Sequence, residues 1–135
     1  MKKSSILKAG LMSLMLMGTL VTASAYNGKY TLNLTSGWLS PWAYTNYVYK
    51  VTNNEAPIIK CTNTSGSTNN FEYDMANSNG ESRVVAFTQA GTFGYHVWSR
   101  FNAVGGYQYA ARATRHGGAW NSSATTYGNW SPDSY

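Results

Sequence analysis

Beyond residue 26 the chain runs in short alternating stretches of apolar and polar residues, closed by Gly, Asn, Ser or Pro. Few stretches repeat apolar residues at the three-and-four spacing of a helix. Residues 30–34 set the pattern, with Tyr30, Leu32 and Leu34 on one face and Thr31 and Asn33 on the other. Ser36 and Gly37 open a turn that continues to Ser40 and Pro41. A second strand is expected over 44–52, broken by the run from Asn53 to Pro57, and a third over 58–62. The Asn, Ser, Thr and Gly run 63–70 reads as a loop. Strands over 71–75, 82–89, 94–101, 107–114 and 125–130 bring the count to about eight. This spacing predicts an all-β chain folded as a single small antiparallel β-sandwich.

The first 25 residues stand outside that pattern. Lys2, Lys3 and Lys8 accompany an apolar run over 9–21, and Ala23, Ser24 and Ala25 supply the small residues a signal peptidase needs. The run is shorter than the ~20 residues that cross a bilayer, and no later segment approaches that length. We therefore expect a cleaved signal peptide over 1–25, a secreted, extracellular β-sandwich domain over 26–135, and no transmembrane segment in the mature chain.

Strands 94–101 and 107–114 invite a hairpin. A two-residue turn at Gly105 and Gly106 would put Arg100 on the face of Tyr109 and Ala111, since a one-residue slip inverts every side chain. A three-residue loop, Val104-Gly105-Gly106, with glycine in the left-handed position, instead makes the apolar faces coincide. In that register Tyr95, Val97 and Phe101 face inward, Trp98 lies opposite Arg112, and the outer face gathers His96, Trp98, Arg100 and Arg112.

Charge changes with processing. Three of the ten basic residues lie in the leader, leaving seven against five acids, so a formal +5 becomes +2. Nucleic-acid binding loses its main support, because phosphate contacts need clustered Lys and Arg. Acids concentrate between Glu55 and Glu81, whereas Arg83, Arg100, Arg112 and Arg115 meet only Asp133 afterwards. All 20 aromatic residues follow the leader, supplying both core and amphipathic surface. Cys61 is alone, which rules out an internal disulfide; it is expected buried as a small apolar residue, the alternative being a bond between chains.

The candidate surface has two readings. Arg beside Trp is an ordinary cross-strand pair worth ~0.5–1 kcal/mol. It is also a recognition chemistry, in which Trp packs a sugar ring or interfacial chain and Arg holds phosphate or carboxylate. Residues 115–120, with His116 and Trp120 around two glycines, extend that chemistry or serve as a spacer. The turn carrying Trp38 and Trp42 either exposes two rings to a glycan or interface or folds over one end of the sandwich. Glu72 and Asp74 share a strand face, but no second signature accompanies them for glycoside hydrolysis. His96, His116 and Cys61 lack zinc-site spacing, and neither a nucleophile elbow nor a phosphate loop is found. No cofactor, metal or enzyme activity is expected. Asn-x-Ser/Thr matches such as those beginning at Asn33, Asn63 and Asn121 decide nothing in a chain so rich in these residues. Trp130 either closes the core or contacts a ligand.

The C-terminal third carries the run from Gly106 to Ala113, then Asn121-Ser122-Ser123, then Gly128-Asn129-Trp130-Ser131-Pro132-Asp133. It resembles an uncharacterised family of small secreted proteins of Gram-positive bacteria that end in Gly-x-Trp followed by acidic residues. Those proteins are similar in size and organisation to lactococcin-type bacteriocins, a likeness carried in this chain by architecture and by aromatic stretches such as Trp42-Ala43-Tyr44-Thr45-Asn46-Tyr47. The resemblance implies export through an ordinary signal peptide, a small β-sandwich, and action on cell-wall synthesis at the lipid-linked precursor. It carries no catalytic motif across. The expectation is a secreted bacteriocin-like antibacterial protein binding a cell-envelope component, an anionic lipid-linked precursor or glycan, of related Gram-positive cells. His96, Trp98, Arg100 and Arg112, then Trp38 and Trp42, are the expected contacts. An immunity protein or ABC transporter would be its companion. The alternative is a non-toxic secreted carbohydrate or cell-wall binding module; an adhesion subunit is a third reading, favoured if Cys61 is exposed.

Overall fold

The computed structural model describes residues 27–35, 42–119 and 121–134. The leader, Trp38 and Trp120 lie outside the described residues. The described chain is all-β, with nine strands in two antiparallel sheets: β1 Gly28–Leu34, β2 Ala43–Tyr44, β3 Val48–Tyr49, β4 Ile58–Gly66, β5 Asn70–Asn77, β6 Phe87–Ala90, β7 Phe93–Val97, β8 Gln108–Arg115 and β9 Ala124–Ser131. One sheet has the order β1-β9-β4-β7; the other runs β2-β8-β5-β6, with β3 also pairing β8. The β-sandwich expected from the sequence is the fold observed.

Four local expectations change, the first being the strand expected over 82–89, which is strand only from Phe87, with Ser82 and Val84 in isolated bridges. The strand expected over 44–52 is two short pieces, β2 and β3, laid in turn along β8. Part of the expected loop 63–70 is strand, because residues 63–66 continue β4 beside β9 in the register Asn63↔Tyr127 to Gly66↔Ala124. Its polar side chains suit a solvated face, which composition alone does not separate from a loop. Finally, 94–101 and 107–114 form no hairpin: β7 pairs β4 in one sheet, and β8 pairs β5 in the other.

Between the sheets lie Leu32, Leu34 and Tyr30 of β1, Ile59 and Cys61 of β4, Phe71, Tyr73 and Met75 of β5, Tyr109, Ala111 and Ala113 of β8, and Trp130 of β9. Alternation aims each set inward, and small alanines on β8 leave room for rings. Hydroxyls in this core are bonded. Tyr73 Oη and Thr126 Oγ1 are 2.8 Å apart across the two sheets. Burial pushes the Tyr73 and Tyr30 phenols well above their ordinary pKa, keeping both neutral. Cys61 is buried, its Sγ 3.3 Å from the Asn63 carbonyl and 3.4 Å from Thr126 Oγ1.

The Gly128-Asn129-Trp130 stretch has a structural explanation. β4 bulges between Cys61 and Asn63, and Tyr30 crosses over Gly128 to donate to the Lys60 carbonyl at 2.9 Å. A Cβ at position 128 would lie 1.8 Å from that carbonyl oxygen and 2.7 Å from the Tyr30 hydroxyl, so only glycine fits. Trp130 closes the core, fully buried.

Asp133 locks the structure. Lys50 and Asp133 are both buried, with Nζ 2.7 Å from Oδ1. The ammonium also donates to the carbonyls of Glu55 at 2.5 Å and Pro132 at 2.6 Å. Asp133 in turn accepts from the backbone amides of Val51 and Thr52 and from the Thr52 hydroxyl. Burial alone would raise the Asp133 pKa, but the Lys50 bond and the Val51 and Thr52 donors outweigh it and hold the carboxyl below its ordinary 3.8. Its stabilisation is therefore complete above that value and is lost as pH falls below it. Asp133→Asn should cost about 3–5 kcal/mol near neutrality, because it strands a buried ammonium. In denaturant titrations from neutral to about pH 2, the gap between wild type and variant should shrink below pH 3.8. A gap independent of pH would show that the carboxylate charge contributes nothing.

Candidate functional site

Arg112 lies on the outer face of β8, as the alternation of that strand predicts, but it is not a free cation. Its Cα partner on β5 is Asp74 and on β2 is Tyr44. Nε and Nη2 reach Asp74 Oδ2 at 2.8 and 2.6 Å, and Nη1 donates to the Tyr44 hydroxyl at 2.9 Å and the Gly80 carbonyl at 3.0 Å. The Trp42 ring covers the guanidinium at 4.5 Å, leaving Arg112 only 8% exposed. Ser82 Oγ donates to the other carboxylate oxygen at 2.6 Å. The Glu72 and Asp74 face of β5 is thus a structural partner: Asp74 neutralises Arg112, and the Trp42 ring is spent on the same cluster.

The segment containing His96, Trp98 and Arg100 turns the opposite way from its alternation. From Ile59 to Cys61 the β7 register moves from His96 to Phe93, so β7 carries one extra residue, an edge-strand bulge. Phe93 and His96 thereby face inward, while Tyr95 and Val97 are 46% and 50% exposed. The strand ends at Val97. The Trp98 amide donates to the Pro57 carbonyl at 3.0 Å, and its indole drops into the core, 2% exposed. Trp98 is consequently not on the outer face and not opposite Arg112. Phe101 still packs against the core, because the irregular 98–101 segment is free of strand periodicity.

His96 stacks on Phe87 with centroids 3.8 Å apart and meets Trp98 edge-on at 5.9 Å. Burial lowers its pKa, so it is neutral at neutral pH. The indole Nε1 of Trp98 is buried without a hydrogen-bond partner. Above these rings lies an open groove of about 250 Å³, walled by Val85, Phe87, His96, Val97 and Arg100. His96, Trp98 and Arg100 therefore line one groove, while Trp42 packs on Arg112 of the other sheet. Arg100 is exposed and makes no ion pair or hydrogen bond among the described residues.

That groove continues. Val85 and Arg100 also line a depression of about 330 Å³ that reaches Arg83 and Asn102, and these two residues line a third, of about 420 Å³, extending to Tyr107 and Gln108. The result is a trough along the side of the sandwich, apolar at His96, cationic at Arg100 and amide-rich at Tyr107. Sequence reasoning missed the Tyr107 end, because its walls come from two stretches, 77–83 and 102–109, separated in the chain. The available signal was the density of tyrosine and Asn over 77–79 and 102–109.

Among the described residues no cluster of three or more His, Cys, Asp or Glu side chains is placed to hold a metal ion, and no helix is long and apolar enough to cross a membrane. No protein-family model matches the chain, and no curated protein matches it.

Arg112→Ala should destabilise the fold by about 3–5 kcal/mol, since it leaves the Asp74 carboxylate buried without its partner. Asp74→Asn with Arg112→Met should recover a large part of that loss, because removing both charges removes the stranded one. Chemical denaturation of the two variants checks this; a neutral Arg112→Ala would show the cluster to be solvated in solution.

Proposed function

We propose that the chain is a secreted antibacterial protein that binds a component of the envelope of related Gram-positive cells without covalent chemistry. The observation that carries this reading is the unpaired Arg100 guanidinium beside an apolar groove floored by His96, Phe87 and Trp98. An anionic lipid-linked envelope component presents a phosphate next to an apolar chain. Arg100 suits the first, as a bidentate donor, and Val85, Val97 and Phe87 suit the second. The signal-like leader supports export, and the C-terminal pattern supports the likeness to small secreted bacteriocin-like proteins. An immunity protein or ABC transporter encoded nearby is the companion this reading expects.

The processed protein, beginning near Tyr26, should inhibit growth across a panel of Gram-positive strains. Arg100→Gln should lose potency about tenfold, the size of one charge-assisted contact, with its thermal transition unmoved because Arg100 holds nothing in the fold. Equal potency of the variant removes Arg100 from the site. No inhibition by wild type on any strain favours the second reading, a non-toxic wall-binding module, for which the exposed rings of Tyr49 and Tyr107 are the supporting feature.

A further inference from the structure

We infer that the Tyr107 end of the trough is a binding site for an uncharged glycan, distinct in chemistry from the cationic groove at Arg100. The inference deepens the envelope reading and takes from it only the choice of probe. Its first support is electrostatic. Arg83 is the one charged residue lining the cleft, and Glu81 neutralises it at 2.6 Å, so a charged ligand finds no counter-charge there.

The second support is the unspent hydrogen-bonding capacity. Ser78, Asn79, Asn102 and Gln108 line the cleft with a hydroxyl and three amides whose side chains make no hydrogen bond among the described residues. Each amide offers both donors and an acceptor, the mixture a sugar's hydroxyls require. Tyr107 is 64% exposed and presents a ring to the same cleft, a surface on which the C–H face of a pyranose packs. Tyr49, 63% exposed, is the Cα partner of Gln108 and shares its face of the sheet, outside the cleft itself. At about 420 Å³ the cleft is in the size range of small-ligand sites, ~300–1,000 Å³.

Preorganisation is the third support. The Asn77 side-chain oxygen accepts from the amides of Asn79 and Glu81, its Nδ2 donates to Glu81, and the Gly80 amide donates to its carbonyl. The Tyr47 hydroxyl bonds the same carbonyl. On the opposite wall the Tyr109 hydroxyl accepts from the Val104 amide. Both walls are held before any ligand arrives, which reduces the ordering cost of binding.

The test is retention of the processed protein on Gram-positive wall sacculi stripped of anionic polymers, in about 0.5 M NaCl, where contacts between exposed charges are screened. Wild type should be retained. Tyr107→Ala should bind about tenfold more weakly, the size of one lost ring contact, and Gln108→Ala more weakly than wild type. Tyr95→Ala, on the other sheet, should bind as wild type; matching circular dichroism and melting curves confirm that all three fold. Failure of wild type to be retained at high salt, or full retention of Tyr107→Ala, overturns the site. Growth inhibition measured on the same samples separates the two ideas. Inhibition without salt-resistant retention rejects the glycan cleft alone, and retention without inhibition rejects the antibacterial reading alone.

Discussion

Burying an ammonium is among the costliest placements a fold can make, and the surroundings of Lys50 are arranged to meet that cost. All three Nζ donors are satisfied, one by the Asp133 carboxylate and two by carbonyls. The same residue's backbone pairs with the segment leading into β8: its amide donates to the Tyr107 carbonyl and its carbonyl accepts from Gly106. Lys50 thus joins the end of β9, in one sheet, to the start of β8, in the other. Gly105 is pressed against the same strap; a Cβ there would lie 2.7 Å from the Val51 carbonyl oxygen. The placement of Tyr107 at the rim of the trough depends on this junction.

Three of the domain's cations are settled by carboxylates. Asp74 takes Arg112, Glu81 takes Arg83, and Asp133 takes Lys50. Arg115 turns to the carbonyls of Ala119 and Ser122. Lys60 sits over the Tyr95 ring at 4.7 Å. Among the described residues, the exposed cations left without an ion pair, hydrogen bond or ring contact are Lys29 and Arg100. Rings divide in a similar way: Trp98 and Trp130 are buried, while Tyr44, Tyr47, Tyr49, Tyr95 and Tyr107 are exposed. A phenol tolerates a wet interface on one edge, and an indole fills core volume.

What was legible in the sequence was whatever depended on alternation alone. Tyr30, Leu32 and Leu34 read correctly, as did the inward Tyr109, Ala111 and Ala113 and the outward Arg112 of β8. Pairing was less legible. Strands β7 and β8 look like a hairpin because they are consecutive and share glycines between them, and Gly106 does adopt the left-handed conformation, with φ of 87°. Yet the chain crosses between sheets there, and alternation does not reveal a crossing. One extra residue in β7 then sufficed to reverse the faces of Tyr95, Val97 and Trp98. The candidate site failed where partners were remote: nothing near Arg112 in sequence announces Asp74, and nothing near Lys50 announces Asp133. His96, Trp98 and Arg100 stayed together because a single short segment carries them.

The order of strands in the first sheet sets a schedule. β9 lies between β1 and β4, so β1 has no hydrogen-bonded neighbour in that sheet until residues 124–131 are present. Lys50 waits for a counter-ion 83 positions downstream. A chain that emerges from a ribosome or a translocation channel with its N-terminus first therefore cannot complete this sheet halfway through. β4 can pair with β7, and β5 with β6, once residue 97 has emerged, but β1 has no sheet neighbour until almost the whole sequence is present. The topology makes completion of this sheet one of the last events of folding, because its central partner strand is the last to be made.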